Sequence, residues 1–397
     1  MEELTISNRM SGLNPSAIRE ILKVTTNSNV ISFAAGNPAE ETFPVSELKE
    51  LAVELFQKHG FMALQYGLTE GYAPLIEQIR LRLREKYAIG RSMDKVMILS
   101  GGQQGLDLSA KCLLNEGDTV LCEAYSFIGA LNTFRSYGAR PVGIPMDEEG
   151  MDPDALELAL RREKNVRLIY TIPTFQNPMG VTMSFARRKR IYELAVRYNV
   201  MILEDSPYFE LRYSGSYVPA IKTLDETGHV IYVGSFSKVI SPGLRVGFLC
   251  TRSDLVSKLV VAKQGADVQT PLLTQMLVSS YLERYDLDAH IEDCRALYKE
   301  KRDRMISRME ACFPDPATFT RPAGGLFLWC EIPENISGTA FCKAAGERGV
   351  VCVPGGTFHP SGDLKSPCFR LNYSMPSLKQ IDQGIDILAD CLSAILP

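Results

Sequence analysis

The chain has 397 residues, more than one ordinary hydrophobic core holds, and this length suits a large domain with a smaller companion. Hydrophobic residues make up 45% and charged residues 23%, as in most globular proteins, and the net charge of −4 gives no general attraction to nucleic acid or anionic membranes. No apolar run reaches the roughly 20 residues of a membrane span, and the polar, acidic N-terminal stretch does not resemble a secretory signal. We therefore expect a cytoplasmic protein that binds neither nucleic acid nor membrane.

The first 30 residues contain one predicted helix, Pro15–Val24, whose packing partner the pattern does not reveal. From residue 31 to about residue 287, short apolar strands alternate with amphipathic helices. The predicted strands are Val96–Leu99, Thr119–Glu123, Val166–Tyr170, Val200–Glu204, His229–Gly234 and Val246–Cys250, and the predicted helices are Gly105–Leu114, Phe127–Tyr137 and Phe185–Tyr198. This alternation predicts an α/β domain with a mostly parallel sheet flanked by helices, in which sites lie beyond the carboxyl ends of the strands.

The pattern changes after residue 287. A long charged helix, Asp288–Cys312, precedes shorter strands at Gly325–Glu331, Val350–Val353 and Cys368–Tyr373, and a final helix begins at Leu378. This order is typical of an α+β domain. The sequence therefore predicts an N-terminal segment (1–30), a large domain (31–287) and a small C-terminal domain (288–397).

The cysteines and histidines do not form a metal-binding pattern. The ten cysteines are scattered without a CxxC pair, and the four histidines do not cluster near them. We therefore expect no metal site and reduced, buried thiols.

Polar residues follow three predicted strands of the large domain. One strand continues into Asp205-Ser206-Pro207-Tyr208, another into Gly234-Ser235-Phe236-Ser237-Lys238, and a third into the helix start Ser100-Gly101-Gly102-Gln103-Gln104-Gly105. Taken singly, the acid could cap a turn, the lysine could be solvated, and the glycine turn could bind nothing.

Taken together, these segments supply the groups that one cofactor requires. The amides of the helix start could bind an anion, with Arg245, Ser235 and Ser237 completing a phosphate cup. The amine of Lys238 can form an imine with an aldehyde, and Asp205 can hold a ring nitrogen protonated. Phosphate, aldehyde and ring nitrogen are the three handles of pyridoxal 5'-phosphate, which is the predicted cofactor.

The order of these segments resembles the fold-type I, class I/II aminotransferases over nearly the whole chain. The matching segments are NPSAIREIL, FAAGNP, QYGLTEG, SGGQQGL, IPTFQNPMG, LEDSPY, GSFSKVISPGLRVGF, PGGTFHP and FRLNYS. The chain is most similar to the 2-aminoadipate, kynurenine and aromatic aminotransferases. This resemblance implies ping-pong transfer of an amino group from an L-amino acid to a 2-oxo acid, with 2-oxoglutarate as the expected acceptor.

The resemblance also implies roles for residues around the cofactor. Lys238 would form the Schiff base and later move the proton at the substrate Cα. Asp205 would pair with the protonated ring nitrogen, whereas Asn177 and Tyr208 would hydrogen-bond the ring hydroxyl oxygen. The residues expected at the phosphate are Gly102, Gln103, Ser235, Ser237 and Arg245.

Substrate binding and assembly follow from the same resemblance. Arg370 would hold the substrate α-carboxylate through a bidentate pair, assisted by Gly36 and Asn177. Tyr66 would reach the site of a neighbouring subunit, so the expected active unit is a homodimer with shared sites. Arg19, on a helix that lies over the site in this subgroup, would meet a distal carboxylate of the substrate; the alternative that Arg19 pairs with a surface acid stays open.

Two positions depart from the family pattern. The family usually has Glu-x-Pro-x-Tyr, whose tyrosine stacks on the cofactor ring, whereas this chain has Glu123-Ala124-Tyr125-Ser126-Phe127. Phe127 would then stack without offering a hydroxyl, although it could also be a core aromatic at a helix start. Gly102 replaces the Ser or Thr of many relatives, so a side-chain contact to phosphate is lost and the amide is kept.

Other functions fit part of the pattern. Ser235-x-x-Lys238 matches the nucleophile motif of serine penicillin-recognising enzymes, but the accompanying Lys-Thr-Gly and Ser-Asp-Asn triplets do not occur. A β-lyase that cleaves C–S bonds on the same fold would share Lys238, Asp205 and Arg370. A catalytically idle transcription regulator with this fold would need a DNA-binding segment, which we do not expect here. Arg19 favours amino transfer over the lyase, and the intact pair of Lys238 and Asp205 argues against the idle regulator.

Overall fold

The computed structural model describes residues 6–11, 13, 30–362 and 365–396. The strands are β1 Ile31–Ser32, β2 Asp94–Leu99, β3 Thr119–Glu123, β4 Arg140–Ile144, β5 Met146–Asp147, β6 Gly150–Met151, β7 Val166–Thr171, β8 Met201–Asp205, β9 Val230–Ser235, β10 Gly247–Arg252, β11 Thr318–Phe319, β12 Phe327–Glu331, β13 Val350–Val351, β14 Val353–Pro354 and β15 Cys368–Asn372. The α-helices are α1 Asn8–Ser11, α2 Val45–Ala63, α3 Ala73–Tyr87, α4 Gly102–Leu113, α5 Ile128–Ser136, α6 Pro153–Arg162, α7 Phe185–Tyr198, α8 Ser253–Gln264, α9 Leu272–Arg284, α10 Leu287–Cys312, α11 Gly338–Glu347 and α12 Leu378–Ile395. The predicted helix Pro15–Val24 lies outside the described residues.

A seven-stranded sheet with the order β2-β10-β9-β8-β7-β3-β4 forms the centre of the large domain. All neighbouring strands are parallel except those that pair with β10. Alternate strand residues point to two different clusters of buried apolar side chains: Leu203 packs with Leu106 of α4, and Ile202 packs with Ile191 of α7. Helices therefore cover both faces of the sheet, as a parallel sheet requires. The predicted α/β architecture is confirmed.

The six predicted strands of the large domain correspond to β2, β3, β7, β8, β9 and β10, with ends that differ by no more than two residues. The prediction missed β4, which lies at the edge of the sheet. This strand contains Pro141 and is only partly buried. A proline is tolerated at a sheet edge, so the usual apolar signal of a central strand is absent there.

The C-terminal part contains a four-stranded antiparallel sheet with the order β11-β12-β15-β14. The long helix α10 begins after Asp286, whose carboxylate caps the amides of Asp288 and Ala289. β1 pairs in parallel with β13, so the chain directly after residue 30 is joined to the C-terminal part. One cluster of buried apolar residues also extends from Phe33 to Leu392. The division at residue 287 stays a prediction.

Candidate active site

The polar segments that the sequence singled out meet at one edge of the large sheet. Asp205 ends β8, Ser235 ends β9, and the turn before α4 follows β2. β10 runs antiparallel and begins at this edge, with Gly247 opposite both Leu99 and Ser235. The segment just before β10 is therefore brought between the ends of β2 and β9.

A cavity of about 790 Å³ opens at this edge. It is lined by the following predicted site residues: Gly36, Gly102, Gln103, Phe127, Asn177, Asp205, Tyr208, Ser235, Ser237, Lys238, Arg245 and Arg370. This volume lies within the range of small-molecule and cofactor sites. The remaining predicted residues are Tyr66, which lies outside the cavity and is 79% exposed, and Arg19, which lies outside the described residues.

Lys238 reaches the cavity from the short 3-10 turn that follows β9. Its Nζ donates a hydrogen bond of 2.7 Å to the carbonyl oxygen of Gly36 and lies 5.9 Å from the centre of the Tyr208 ring. Burial, together with the positive charges of Arg370 and Arg245, lowers the pKa of this amine to about 8. The neutral, nucleophilic form is therefore far more accessible near neutral pH than in an ordinary lysine.

Asp205 is buried beneath the same cavity. Its Oδ2 accepts a 3.0 Å hydrogen bond from the Tyr170 hydroxyl. Burial raises the pKa of Asp205 to about 7, and the bond from Tyr170 offsets only part of this effect. A cationic group placed beside this carboxylate would hold it ionised and would in turn keep its own proton.

The turn between β2 and α4 forms the anion-binding end of the cavity. Gly101 has a φ of +81°, and α4 begins at Gly102, so the first amides of the helix are free to bind an anion. Arg245 packs directly on this turn: its Nη2 donates to the carbonyl oxygen of Ser100 at 3.0 Å, and a Cβ on Gly101 would lie only 2.2 Å from the same nitrogen. Glycine is therefore required at position 101 for the guanidinium to approach.

Two hydroxyls stand beside this turn. The hydroxyl of Ser235 donates to that of Ser237 at 2.8 Å, and the Ser237 amide donates back to the Ser235 hydroxyl at 3.1 Å. Ser235 thereby caps the turn that carries Lys238. Both hydroxyls face the cavity next to Arg245 and can orient toward an anion there.

Arg370 projects from β15 of the small sheet and is held by two acceptors. Its Nη1 donates to Asn177 Oδ1 at 2.8 Å, and its Nη2 donates to the carbonyl oxygen of Ala34 at 2.6 Å. The guanidinium carbon lies 4.2 Å from the ring centre of Phe327. Its buried Nε has no hydrogen-bond partner among the described residues, and burial lowers the pKa of Arg370 to about 10. A buried cation in this state is suited to receive a carboxylate.

Phe127 lies at the cavity wall, immediately before α5. A Cβ on Gly129 would come within 2.6 Å of the Phe127 ring and of Gln103 Oε1, so glycine at this position lets both side chains approach. The amide of the Gln103 side chain donates to Gly129 O and to Thr133 Oγ1. The side chain of Gln103 thus fixes the wall, whereas its backbone belongs to the turn before α4.

The sequence prediction missed several residues of the site. Tyr170 was the last residue of a predicted strand, and its contact with Asp205 depends on the pairing of β7 with β8, which the sequence pattern does not specify. Phe327 and Ile172 line the cavity as apolar residues at strand ends, where they are indistinguishable in sequence from core residues. Asn37, adjacent to the predicted Gly36, could have been found by extending that motif by one position.

The cavity holds groups for each part of pyridoxal phosphate. Lys238 offers an amine to the aldehyde, and Asp205 offers a buried carboxylate to the ring nitrogen. The Gly102 turn and Arg245 form an anion site. The unsatisfied Nε of Arg370 adds a position for a carboxylate. These residues fit the cofactor, and together with the doubly covered sheet they define a pyridoxal-phosphate-dependent enzyme of fold type I.

Comparisons with known proteins agree with this class. Residues 28–388 match the family "Aminotransferase class I and II". The chain is 42% identical to aromatic-amino-acid aminotransferase 1 of Thermococcus litoralis, covering 98% of this chain and 94% of that protein. It is 41% identical to the 2-aminoadipate transaminase of Thermus thermophilus, covering 97% and 95%. The crystal structure of a Pyrococcus horikoshii kynurenine aminotransferase superposes with a TM-score of 0.95 at 38% identity, covering 99% and 98%.

The chain therefore belongs to the class I and II aminotransferase family, and its cofactor is pyridoxal 5'-phosphate. It catalyses amino transfer between amino acids and 2-oxo acids. The names of the three relatives describe transferases and give no support to the β-lyase alternative.

The described part of the chain also lacks two features. None of its helices combines the length and apolarity needed to cross a membrane. No group of three or more His, Cys, Asp or Glu side chains is arranged there to hold a metal ion.

Proposed function

We propose that this enzyme moves the amino group of an aromatic, aliphatic or 2-aminoadipate-type L-amino acid to 2-oxoglutarate in two alternating half-reactions at Lys238. The observation that carries this proposal is the joint placement of Lys238, Asp205 and Arg370 around one cavity. An amine, a buried acid and a buried cation for a carboxylate are the three groups that amino-acid chemistry on this cofactor requires.

When bound, pyridoxal phosphate supplies an aldehyde that captures the amino group and a ring that withdraws electrons from the substrate Cα. Lys238 would hold the cofactor through its amine and would carry the proton removed from the substrate Cα. Its lowered pKa suits an amine that both accepts and donates a proton near neutral pH. Asp205 would keep the proton on the ring nitrogen, and Tyr208 and Asn177 would hydrogen-bond the ring hydroxyl oxygen.

The phosphate is proposed to bind at the amides of Gly102 and Gln103, with Ser235, Ser237 and Arg245 around it. Every one of these residues lines the cavity. Phe127 is proposed to stack on the ring from the cavity wall.

The substrate is proposed to bind between Arg370 and the apolar wall of the cavity. Arg370 takes the α-carboxylate, and Asn177 and Gly36 shape this end of the cavity. Ile128, Ile172 and Phe327 contribute apolar surface to the cavity that would accommodate aromatic or aliphatic side chains. Relatives named for aromatic, 2-aminoadipate and kynurenine substrates support this range.

Tyr66 and its surroundings support a homodimer. Tyr66 belongs to an exposed apolar patch with Phe61, Met62, Leu64 and Leu68, and Phe61 is 98% exposed. Large exposed apolar patches mark protein interfaces, so we propose that a second copy of the chain covers this patch and receives Tyr66 in its cavity. Sedimentation at assay concentration tests the homodimer, since a fully active monomer would exclude shared sites.

A location in the cytoplasm is a further proposal, which rests on the sequence.

The substrate assignment is tested by a donor screen with 2-oxoglutarate and pyruvate as acceptors. We expect transfer from acidic and aromatic or aliphatic donors, and release of ammonia or thiol without a 2-oxo acid would instead indicate a lyase.

Arg19→Ala tests the proposed distal contact: loss of an ion pair from a partly dry site should raise KM for 2-oxoglutarate and Glu by about tenfold or more relative to aromatic donors. An equal rise for all substrates would contradict a distal role for Arg19.

A further inference from the structure

An ion pair between a buried lysine, Lys263, and a partly exposed aspartate, Asp267, lies beside the proposed phosphate-binding turn. The side chain of Lys263, in the last turn of α8, is fully buried. Its Nζ bonds to both carboxylate oxygens of Asp267 at 2.8 and 2.9 Å, and to Gln104 Oε1 at 2.6 Å. Burying a lysine is costly unless it is paired, and Asp267 supplies the pairing charge here.

The carboxylate of Asp267 also holds both ends of the turn before α4. Its Oδ2 accepts from the hydroxyl of Ser100 at 2.6 Å and from the side-chain amide of Gln104 at 2.7 Å. Ser100 and Gln104 are also hydrogen-bonded to each other, since the Ser100 amide donates to Gln104 Oε1 at 2.8 Å. The residues between them are Gly101, Gly102 and Gln103, of which Gly102 and Gln103 carry the first amides of the helix.

The position of Ser100 also determines the orientation of Arg245. Arg245 donates to the carbonyl oxygen of Ser100 at 3.0 Å. A displacement of Ser100 would therefore move both the amides of the turn and the acceptor that fixes the guanidinium.

The turn that carries Asp267 is itself anchored on its far side. The side chain of Gln275 donates to the carbonyl oxygen of Thr270 at 2.7 Å and accepts from the amide of Tyr72 at 2.7 Å. Gln269 Oε1 accepts from the amide of Gly67. Asp267 is therefore attached to a fixed part of the structure rather than to a free loop.

From these contacts we infer that Asp267, supported by Lys263, is a positioning residue that holds the Ser100–Gln104 turn and Arg245 in the geometry that binds the cofactor phosphate. It does so from outside the cavity, which it does not line. The inference rests on the proposed placement of the phosphate at this turn.

An electrostatic role and a positioning role for Asp267 predict opposite effects of Asp267→Asn on phosphate binding. Replacing Asp267 by Asn leaves Lys263 with an uncompensated positive charge beside the turn, which by itself would strengthen phosphate binding. Positioning predicts weaker binding, because the turn loses an acceptor shared by Ser100, Gln104 and Lys263. Ser100→Ala removes one of these bonds without changing any charge.

The test compares two ligands that differ only in the phosphate, pyridoxamine 5'-phosphate and pyridoxamine, by calorimetric titration of the cofactor-free chain. The ratio of the dissociation constant of pyridoxamine to that of pyridoxamine 5'-phosphate reports the contribution of the phosphate to binding. We expect Asp267→Asn to reduce this ratio about tenfold or more, and Ser100→Ala to reduce it about threefold to tenfold, as for lost charge-assisted hydrogen bonds. Asp225→Asn, which alters another buried lysine pair away from the cavity, should leave the ratio unchanged.

An Asp267→Asn ratio that is unchanged within about twofold, or increased, would overturn the inference, as would an unchanged ratio in Ser100→Ala. If Asp267→Asn does not fold, Ser100→Ala alone decides. Arg245→Met tests the phosphate site itself: if it leaves the wild-type ratio unchanged, the proposed placement of the phosphate is wrong, whatever the result for Asp267.

Discussion

Two lysines at opposite ends of the large sheet, the buried Lys222 and the partly buried Lys238, show how the same side chain is used for stability or for chemistry. Lys222, at the end where β2 and β9 begin, bonds to Asp94 and Asp225 at 2.8 Å each and to the carbonyl oxygen of Val230 at 3.0 Å. Burial alone would lower its pKa, but the two carboxylates more than offset this effect and raise it. Lys222 is therefore a permanent cation.

Lys238 lies at the other end of the same sheet, where β9 ends. Among the described residues its Nζ has an uncharged acceptor, Gly36 O, and its charged neighbours are the cations Arg370 and Arg245. Its pKa is lowered to about 8. The comparison teaches that burial lowers the pKa of both amines, and that two carboxylates offset this effect at Lys222, whereas the charged neighbours of Lys238 among the described residues are cations that lower its pKa further.

The largest effect is expected from Lys238→Ala. Removing the amine removes both the covalent attachment of the cofactor and the group that carries the Cα proton, so turnover should be lost and the visible absorbance of the bound cofactor should disappear. Steady-state assay and absorption spectroscopy measure the two effects. A variant that still turned over at the wild-type rate would refute the assignment of Lys238.

Asp205→Asn should have the next largest effect. An amide cannot hold the proton on the ring nitrogen as a carboxylate does, so kcat should fall by orders of magnitude while cofactor binding is largely kept. Stopped-flow and steady-state kinetics give kcat, and equilibrium dialysis gives cofactor affinity. A loss of less than about 1.4 kcal/mol of transition-state stabilisation, a factor of ten, would show that Asp205 has another role.

The lowered pKa of Lys238 predicts how cofactor capture depends on pH. Only the neutral amine reacts with an aldehyde, so the rate at which visible absorbance appears after cofactor is added should rise about tenfold per pH unit below pH 8 and level off above it. Rapid mixing across pH 6 to about pH 10 measures this profile. A rate that continued to rise up to the ordinary lysine pKa would mean that the surroundings of Lys238 do not lower its pKa.

Lys222→Met should have the smallest effect on catalysis and a large effect on folding. It leaves Asp94 and Asp225 without their cation, so the free energy of unfolding should fall by about 3–5 kcal/mol. Turnover per folded molecule should remain within about twofold of wild type, because Lys222 does not line the cavity. Denaturant titration and assay of the folded fraction separate the two quantities. Loss of turnover in fully folded protein would break the contrast between the two lysines.

Much of the large domain was predictable because its signals are local. Buried parallel strands such as β8 and β9 are apolar runs that end in polar residues, and the ends of these runs identified Asp205 and Lys238. The edge strand β4, with Pro141 and partial exposure, carried no such signal. The helices α2, α3, α8 and α9 also went without a prediction, although α2 and α9 pack against each other.

The site was less completely predictable, since several contacts depend on strand order and on approach of distant segments. Tyr170 meets Asp205 only because β7 lies beside β8. Asp267 bonds to Gln104 and Ser100, which lie 163 and 167 positions away in the chain. The roles of Asn177, Arg370 and Tyr66 came from the resemblance to a known family, and in sequence alone each could be a turn or surface residue.

The identity of the cofactor-bearing lysine is tested most directly by chemical trapping. The cofactor-loaded enzyme is reduced with borohydride, digested and mapped by mass spectrometry, which locates the covalently attached cofactor on one residue. We expect the added mass on the peptide that contains Lys238, with the peptides of Lys222 and Lys263 unmodified. Attachment to any other lysine, or an unmodified Lys238 in fully active enzyme, would contradict the account.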